Sequence, residues 1–269
     1  MPSVRVDDLD VAYDVSGPET STAVLMINGL GAARGGWSQQ VPALAAEYRV
    51  VTYDNRDAGE TGAGADPRPY PLRQFADDAI GLMDALGIAR AHVVGASMGG
   101  AIAQELALAY PNRVVSLSIV CSWAKTDPWL AELFRSWEEV FAAQGMLAFS
   151  RTTWLWVMTH RWYRDPERLA ALVTDTEAAP FPQTAEMYAR QSQAAIGHDA
   201  LARLSNLAIP THVIAGEEDL LTPLRFSEEI AAAIPGARLT VMPEVGHGMF
   251  WEATDAFNDH VLGFLRQVD

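Results

Sequence analysis

The chain has few of the features that would cross-link it or anchor it in a membrane. It contains a single cysteine, Cys121, among 269 residues, so an intrachain disulfide is excluded and a reducing compartment is expected. No stretch approaches the roughly 18 consecutive apolar residues that predict a spanning helix. The N-terminus lacks the basic and apolar regions of a signal peptide, and we therefore expect a cytoplasmic protein without a membrane partner.

Positive charge is also scarce. Lys and Arg number 19 against 34 Asp and Glu, which gives a formal net charge of −15. Such an acidic chain is a poor partner for nucleic acid or for an anionic membrane surface. His, Cys and Asp residues show no metal-ligand spacing, so no metal site is expected. Hydrophobic residues make up 49% of the chain, which is enough for a large core.

The order of apolar patterns predicts an α/β fold. Short apolar runs alternate with longer helical patterns, which favours a mostly parallel sheet of eight strands with helices on both faces. The rhythm changes after Cys121: residues 123–205 read as helical and hold six of the eight tryptophans. We therefore predict a core domain made of residues 1–122 and 206–269, with a helical cap, residues 123–205, inserted in it.

The most informative motif is the pentapeptide Gly95-Ala-Ser-Met-Gly99. It follows an apolar strand pattern and precedes a helical one, which is the arrangement of a nucleophile elbow. The turn is so tight that the residues around the serine must be small, which explains the flanking glycines. Ser97 is the predicted nucleophile.

An acid and a base follow the serine in the order that a Ser-Asp-His triad requires in this type of fold. His247 follows one predicted strand and is the predicted general base, because a serine hydroxyl needs an adjacent base to act as a nucleophile. Asp219 follows another strand and is the predicted acid, with Glu217 and Glu218 as alternatives.

A glycine-containing loop supplies the remaining element of such a site. The oxyanion that forms on attack needs preorganised N–H donors. We predict the backbone N–H groups of Met98, directly after the nucleophile, and of Leu30, in the loop Asn28-Gly-Leu-Gly31. Arg34, a few residues further on, would either meet a substrate carboxylate or, as we favour, lie in solvent.

Together these motifs resemble the α/β-hydrolase superfamily over nearly the whole chain. The matching segments are Asn28–Gly31, Asp54–Thr61, Gly95–Gly100, Pro210–Asp219 and Gly246-His247. The chain is most similar to small esterases and to enol-lactonases of the 3-oxoadipate type, including the related aminoacrylate hydrolases. The resemblance implies a serine hydrolase that uses no cofactor.

Two residues depart from the family pattern. Asn28 stands where the superfamily usually has histidine, and we expect its amide to hydrogen-bond the oxyanion loop instead. Asp57 stands where a glycine is usual. We expect Asp54, Arg56 and Asp57 to form a structural network that holds their loop.

The expected substrate is a small, partly apolar ester or lactone. Aromatic residues of the predicted cap and next to the base are expected to line its pocket: Trp129, Trp154, Trp156, Phe250 and Trp251. One alternative is a hydrolase with the same triad that cleaves a C–C bond or an aminoacrylate or amide. Another is a ligand-binding receptor on a hydrolase scaffold. The sequence does not predict an oligomeric state.

Overall fold

A computed structural model describes residues 2–64 and 69–269 of the chain. Its strands are β1 (Ser3–Val6), β2 (Leu9–Ser16), β3 (Ala23–Ile27), β4 (Arg49–Tyr53), β5 (Ala91–Ala96), β6 (Val114–Val120), β7 (Thr211–Gly216) and β8 (Arg238–Met242). They form one eight-stranded sheet in the order β1-β2-β4-β3-β5-β6-β7-β8. β2 runs antiparallel to β1 and β4, and the other neighbours are parallel. The predicted sheet is therefore confirmed.

Helices follow most of the strands, as the alternation of patterns predicts. They are α1 (Val41–Leu44), α2 (Leu72–Ala85), α3 (Met98–Ala109), α4 (Pro128–Val157), α5 (Pro166–Glu177), α6 (Ala185–Ile196), α7 (Leu224–Ala233), α8 (Met249–Glu252) and α9 (Thr254–Val268). α4 is interrupted at Gly145, which has φ 80°. A positive φ suits glycine, because the residue has no Cβ atom to clash with its own backbone.

The central strands are buried on both faces of the sheet. Along β3, Leu25 and Ile27 pack in one apolar cluster with residues of α2 and α3, whereas Val24 and Met26 pack in a second cluster with residues of α1 and α9. Successive side chains of a strand point to opposite faces, so alternate residues enter different cores. The result is a layer of helices on each side of the sheet.

The segment between β6 and β7, residues 121–210, is the helical insertion. All of its residues are described, and it contributes α4, α5 and α6 but no strand of the sheet. Its own packing is aromatic: the ring centroids of Phe141 and Phe149 lie 4.9 Å apart, and the Tyr188 ring lies 4.5 Å from that of Phe149. The domain boundaries at residues 123 and 205 stay a prediction. Among the described residues, no helix is both long and apolar enough to span a membrane.

Buried ion pairs hold the loop after β4, as the network expected from the sequence requires. The Arg56 guanidinium donates to both carboxylate oxygens of Asp78, on α2, at 2.6 Å each. Asp54 accepts the backbone N–H of Arg34 at 2.7 Å and also binds the Arg34 guanidinium. Arg34 is 8% exposed, so the expectation of a solvated charge was wrong. Its guanidinium faces several carboxylates, which compensate for the loss of water.

The Arg56–Asp78 pair gives a test of this arrangement. In Asp78→Ala the buried guanidinium of Arg56 loses the carboxylate that binds it at 2.6 Å, while Asp8 stays 3.8 Å away, and we expect the free energy of unfolding to fall by about 3–5 kcal/mol. The adjacent Asp77→Ala removes a partly exposed pair with Arg73 and a hydrogen bond from the Tyr110 hydroxyl. An exposed pair is worth about 0–1 kcal/mol and a typical hydrogen bond about 0.5–1.5 kcal/mol. Urea denaturation of both variants measures the difference. Equal losses would contradict the expectation that the buried pair Arg56–Asp78 contributes more to stability than the partly exposed pair Arg73–Asp77.

Candidate active site

Ser97 lies in the sharp turn between β5 and α3. Its backbone has φ 57° and ψ −124°, in the left-handed half of the φ range that residues other than glycine rarely adopt. A Cβ atom on Gly95 would lie 2.2 Å from the carbonyl oxygen of Gly99, and one on Gly99 would lie 2.1 Å from that of Ile27. Both positions therefore require glycine. The turn brings Ser97 to the carboxyl end of β5 and the N-terminus of α3.

Asp219 and His247 meet at the carboxyl ends of β7 and β8. His247 Nδ1 lies 2.9 Å from Asp219 Oδ2, and both side chains are buried. The Thr222 hydroxyl donates to Asp219 Oδ2, and the backbone N–H groups of Leu221 and Thr222 donate to Asp219 Oδ1, each at 2.8 Å. These donors stabilise the ionised carboxylate. In the neutral form of His247, Nδ1–H then points to Asp219 and Nε2 is the proton acceptor.

The alternative acids lie elsewhere. Glu218 is paired with Arg161, with its two carboxylate oxygens 2.8 and 2.7 Å from Arg161 Nη1. Glu217 is exposed and accepts the backbone N–H of Glu244 at 3.2 Å. Of the three carboxylates considered, the structure places Asp219 against the imidazole.

The environment of His247 favours its charged form. Burial opposes the charge, but the Asp219 carboxylate outweighs burial and, with a contribution from Cys121, raises the pKa of His247 well above its ordinary value. The contrast with other buried histidines is large, because burial lowers the pKa of His198 and His212 to about 4. His198 also lies near a carboxylate, 3.5 Å from Glu105, but Glu105 is bound by Arg203, whereas Asp219 lies 2.9 Å from His247 Nδ1.

Cys121 is a neighbour of the acid and base that sequence spacing did not reveal. One potential ligand atom from each of Cys121, Asp219 and His247 lies within 4.8 Å of the others. Such a group could in principle hold a metal ion. However, the Asp219 oxygens and His247 Nδ1 already bind each other and their neighbours. A metal would have to replace those hydrogen bonds.

Ser97 faces the same cavity as His247 and the predicted oxyanion loop. No hydrogen bond among the described residues joins Ser97 Oγ to the imidazole, and such bonds commonly tighten only when substrate is bound. The backbone N–H groups of Leu30 and Met98 also have no partner within the described ranges. Both are therefore free to donate to a substrate oxygen.

The loop that carries Leu30 is held through its backbone. Asn55 Nδ2 donates to the carbonyl oxygen of Asn28 at 3.1 Å, and Gln191 Oε1 accepts the N–H of Gly31 at 3.0 Å. The expected role of the Asn28 amide was wrong, because its Nδ2 atom is buried and has no hydrogen-bond partner among residues 2–64 and 69–269. Asn55 supplies the bond that had been assigned to Asn28.

The His247 loop is tied to the end of α4 by Glu252. One oxygen of Glu252 accepts the backbone N–H of Gly246 at 2.8 Å, and the other accepts the N–H and the hydroxyl of Thr159 at 2.6 and 2.8 Å. The N–H of Gly248 donates to the carbonyl oxygen of Val157 at 2.8 Å. The helical insertion therefore helps to position the predicted base.

The cavity in front of Ser97 has a volume of about 250 Å³ and a mainly apolar lining. Of the pocket residues predicted from the sequence, Trp154, Phe250 and Trp251 line it. The rings of Trp154 and Trp251 stack with centroids 5.3 Å apart, which joins the insertion to the core at the cavity wall.

The prediction that Trp129 and Trp156 line the pocket was wrong, because neither is among the residues that line the cavity. The two rings instead contact each other, 6.1 Å apart, and Trp129 is 42% exposed. Two side chains lie on the same face of a helix when they are three or four residues apart. Trp154 and Trp156 are two apart, so they point in different directions.

Several residues of the site could not be found from the sequence. Trp137, Phe149 and Tyr188 line the cavity, but nothing separates them in sequence from other apolar residues of the insertion. Thr222 offered a local signal, since Asp side chains commonly accept backbone N–H groups two or three residues further along a turn, as Asp219 does here. Gln191 gave no signal, because its contacts are long-range.

Comparisons with known proteins agree with this geometry. A sequence model of the α/β-hydrolase fold matches residues 22–254. A protein of Azorhizobium caulinodans that bears the name carbamate hydrolase RutD is 34% identical over 272 residues, which cover 100% of both chains. The crystal structure of the enol-lactonase from Burkholderia xenovorans LB400 superposes with a TM-score of 0.89 at 29% identity, over 98% of this chain and 100% of that one.

A third relative is an esterase. The structure of a thermophilic esterase from Thermogutta terrifontis has a TM-score of 0.85 at 26% identity, and the match covers 97% of this chain and 94% of that chain. The similarity of these proteins therefore extends over the core and the insertion alike.

The contrast between the buried histidines is measurable by NMR. We expect the His247 imidazole to titrate well above 6.5, whereas His198 and His212 stay neutral down to a pH of about 4. At a pH between about 4 and the midpoint of His247, only His247 of these three histidines carries a proton on both nitrogens. Asp219→Asn removes the attractive charge and should lower the midpoint of His247, with His247→Gln used to assign the resonance. A midpoint at or below 6.5 in the unmodified protein would contradict the assigned electrostatics.

Proposed function

The chain belongs to the α/β-hydrolase fold family, and on this premise we propose that it hydrolyses a carboxylic ester or lactone through an acyl-enzyme on Ser97. One observation carries the proposal. Ser97, His247 and Leu30 line one apolar cavity, and the N–H groups of Leu30 and of Met98, the residue after Ser97, have no partner among the described residues. A nucleophile, a base and oxyanion donors around one space are the parts that acyl transfer requires.

In the first half of the proposed reaction, Ser97 Oγ attacks the carbonyl carbon of the substrate. Nε2 of the neutral His247 imidazole takes the hydroxyl proton, and Asp219 stabilises the imidazolium that forms. The carbonyl oxygen becomes an oxyanion and accepts hydrogen bonds from the Leu30 and Met98 N–H groups. When this intermediate collapses, the C–O bond to the alcohol breaks and His247 returns the proton to the leaving oxygen.

The second half repeats these steps with water. His247 removes a proton from water, the hydroxide oxygen bonds to the acyl carbon, and the same N–H groups hold the oxyanion. Collapse of this intermediate breaks the bond to Ser97 Oγ, and the proton returns to the serine. The acid leaves, and the net reaction consumes one water.

The cavity restricts the substrate to small, partly apolar molecules. Its volume of about 250 Å³ is near the lower end of small-molecule sites. Trp154, Phe250 and Trp251 supply aromatic surface, and the predicted cap would separate the cavity from solvent. Excluding water in this way strengthens the hydrogen bonds to the oxyanion.

A carbamate is a second candidate substrate, because a relative aligned over the whole chain bears the name carbamate hydrolase. Carbamates and esters both present a carbonyl carbon to a nucleophile, so the same residues would serve. Release of ethanol from ethyl acetate and from ethyl carbamate separates the two classes. If ethyl carbamate is turned over faster, the proposed substrate becomes a carbamate in place of an ester.

Covalent labelling tests the nucleophile. We expect one adduct per chain with a fluorophosphonate, detected by intact mass, and hydrolysis of short aryl esters with multiple turnovers. In Ser97→Ala the adduct should disappear and kcat should fall by about 10⁴-fold or more, because the triad acts as a unit. Ser227→Ala, which changes a buried serine of α7 outside the cavity, is the control. An adduct that persists in Ser97→Ala would overturn the assignment.

Chain-length selectivity tests the cavity wall. Trp154→Ala opens space beside Trp251, and we expect the ratio of kcat/KM for octanoate over acetate aryl esters to rise by at least about tenfold, since each buried methylene contributes about 0.8 kcal/mol. Trp129→Ala is the matched control, because Trp129 lies outside the cavity. An equal shift in both variants would show that Trp154 does not limit the substrate.

A further inference from the structure

Helix α6 of the insertion is bonded to the loop that carries Leu30. Gln191 is fully buried; its Oε1 accepts the Gly31 N–H at 3.0 Å, and its Nε2 donates to the Arg56 carbonyl oxygen at 2.6 Å. Gln183, just before α6, donates to the Asp57 carbonyl oxygen at 2.6 Å and to Gln191 Oε1 at 3.2 Å. Two glutamines of the insertion therefore bind the backbone of two core loops.

The bonds of the loop leave the Leu30 N–H unused. The Asn28 carbonyl accepts from Asn55, the Gly29 carbonyl accepts the Ala32 N–H at 3.3 Å, and the Gly31 N–H donates to Gln191. Among the described residues, the Leu30 N–H between them has no partner. Gly31 has φ 73°, and glycine populates many backbone conformations, so the peptide must be held from outside.

Asp57, the departure from the family pattern, fastens the same turn of α6. The Asp57 carboxylate binds the Arg190 guanidinium, with Nε at 2.9 Å, and accepts a hydrogen bond from the Tyr70 hydroxyl. Asp57 has φ 63°, in the left-handed region that strains a residue other than glycine. A glycine would avoid this strain but would offer no carboxylate. Arg190 precedes Gln191 in the chain, so the ion pair fixes the helix next to the Gln191 side chain.

We propose that Gln191 is a positioning residue for the oxyanion hole, and that the Asp57–Arg190 pair holds α6 where Gln191 reaches Gly31. Gln191 acts through the backbone: by holding the Gly31 peptide it keeps the Leu30 N–H directed at the substrate oxygen. The insertion thereby completes the catalytic site as well as covering it. This role rests on the function proposed above.

The test is Gln191→Met, which keeps the length of the side chain and removes its hydrogen bonds. We expect kcat for an aryl ester to fall by about 10- to 100-fold, less than or comparable to the loss of a whole oxyanion donor, with KM unchanged. Gln193→Met on the same helix is the matched control, because Gln193 is exposed and bonds Glu138. Gln191→Glu keeps an oxygen that accepts the Gly31 N–H but, when ionised, lacks the donor to the Arg56 carbonyl oxygen, so it should lose less of kcat than Gln191→Met.

An inhibitor pair separates oxyanion positioning from general damage to the cavity. An alkyl trifluoromethyl ketone forms a tetrahedral adduct with a serine, whereas the parent methyl ketone binds without one. In Gln191→Met the inhibition constant of the trifluoromethyl ketone should rise by the same factor as kcat falls, and that of the methyl ketone should stay constant. Equal weakening of both inhibitors, or no loss of kcat, overturns the positioning role.

Hydrogen exchange gives a readout that does not depend on turnover. The Gly31 amide should exchange faster in Gln191→Met than in the unmodified protein or in Gln193→Met, and unchanged exchange would contradict the proposed anchoring. An unmodified protein that forms no Ser97-dependent adduct overturns the proposed function and, with it, the catalytic role of Gln191. A reactive protein whose Gln191→Met variant is equally fast overturns the positioning role alone.

Discussion

The candidate site depends on the close approach of three backbone segments: the elbow at Ser97, the end of β3 and the loop that follows β3. The elbow after β5 packs so tightly against the end of β3 that a single methyl group on Gly99 would overlap the Ile27 carbonyl. This contact sets the oxyanion loop, which continues from β3, beside the nucleophile: a Cβ atom on Gly29 would lie 3.0 Å from that of Ser97. The strained φ of Ser97 is maintained because its N–H and C=O are both bonded, to Val120 and to Gly100 and Ser122.

Buried carboxylates organise the rest of the site, and each has a different partner. Asp219 binds an imidazole and backbone N–H groups, Asp78 binds the Arg56 guanidinium, and Asp57 binds Arg190 of the insertion. A buried charge without compensation would cost several kcal/mol, so these pairs specify which loops meet more than they add to stability. The acid beside His247 therefore belongs to a wider set of charges that fix the loops around the cavity. The negative surface charge is a separate property of the chain.

Local signals account for what the sequence predicted well. The eight strands follow from short apolar runs, and the elbow follows from small residues between a strand and a helix; both patterns are contained within a few consecutive residues. Trp129 and Trp156 were assigned to the pocket wrongly, because aromatic composition does not reveal which side of a helix faces a cavity. Arg34 looked like an exposed loop charge, since the carboxylates that bury it come from separate strands and loops. The bonds of Gln191 likewise join residues more than a hundred positions apart.

One helix therefore serves two parts of the site. Tyr188 and Gln191 are three residues apart on α6, so they lie on the same face. Tyr188 lines the cavity and packs on Phe149, while its ring would be 3.4 Å from a Cβ atom on Gly31. A substitution of Tyr188 would alter the contact between α6 and Gly31. A substitution of Trp154 would instead alter the stacking contact between α4 and Trp251. Cavity size and the geometry of the loop are consequently coupled on the α6 side of the cavity and separable on the α4 side.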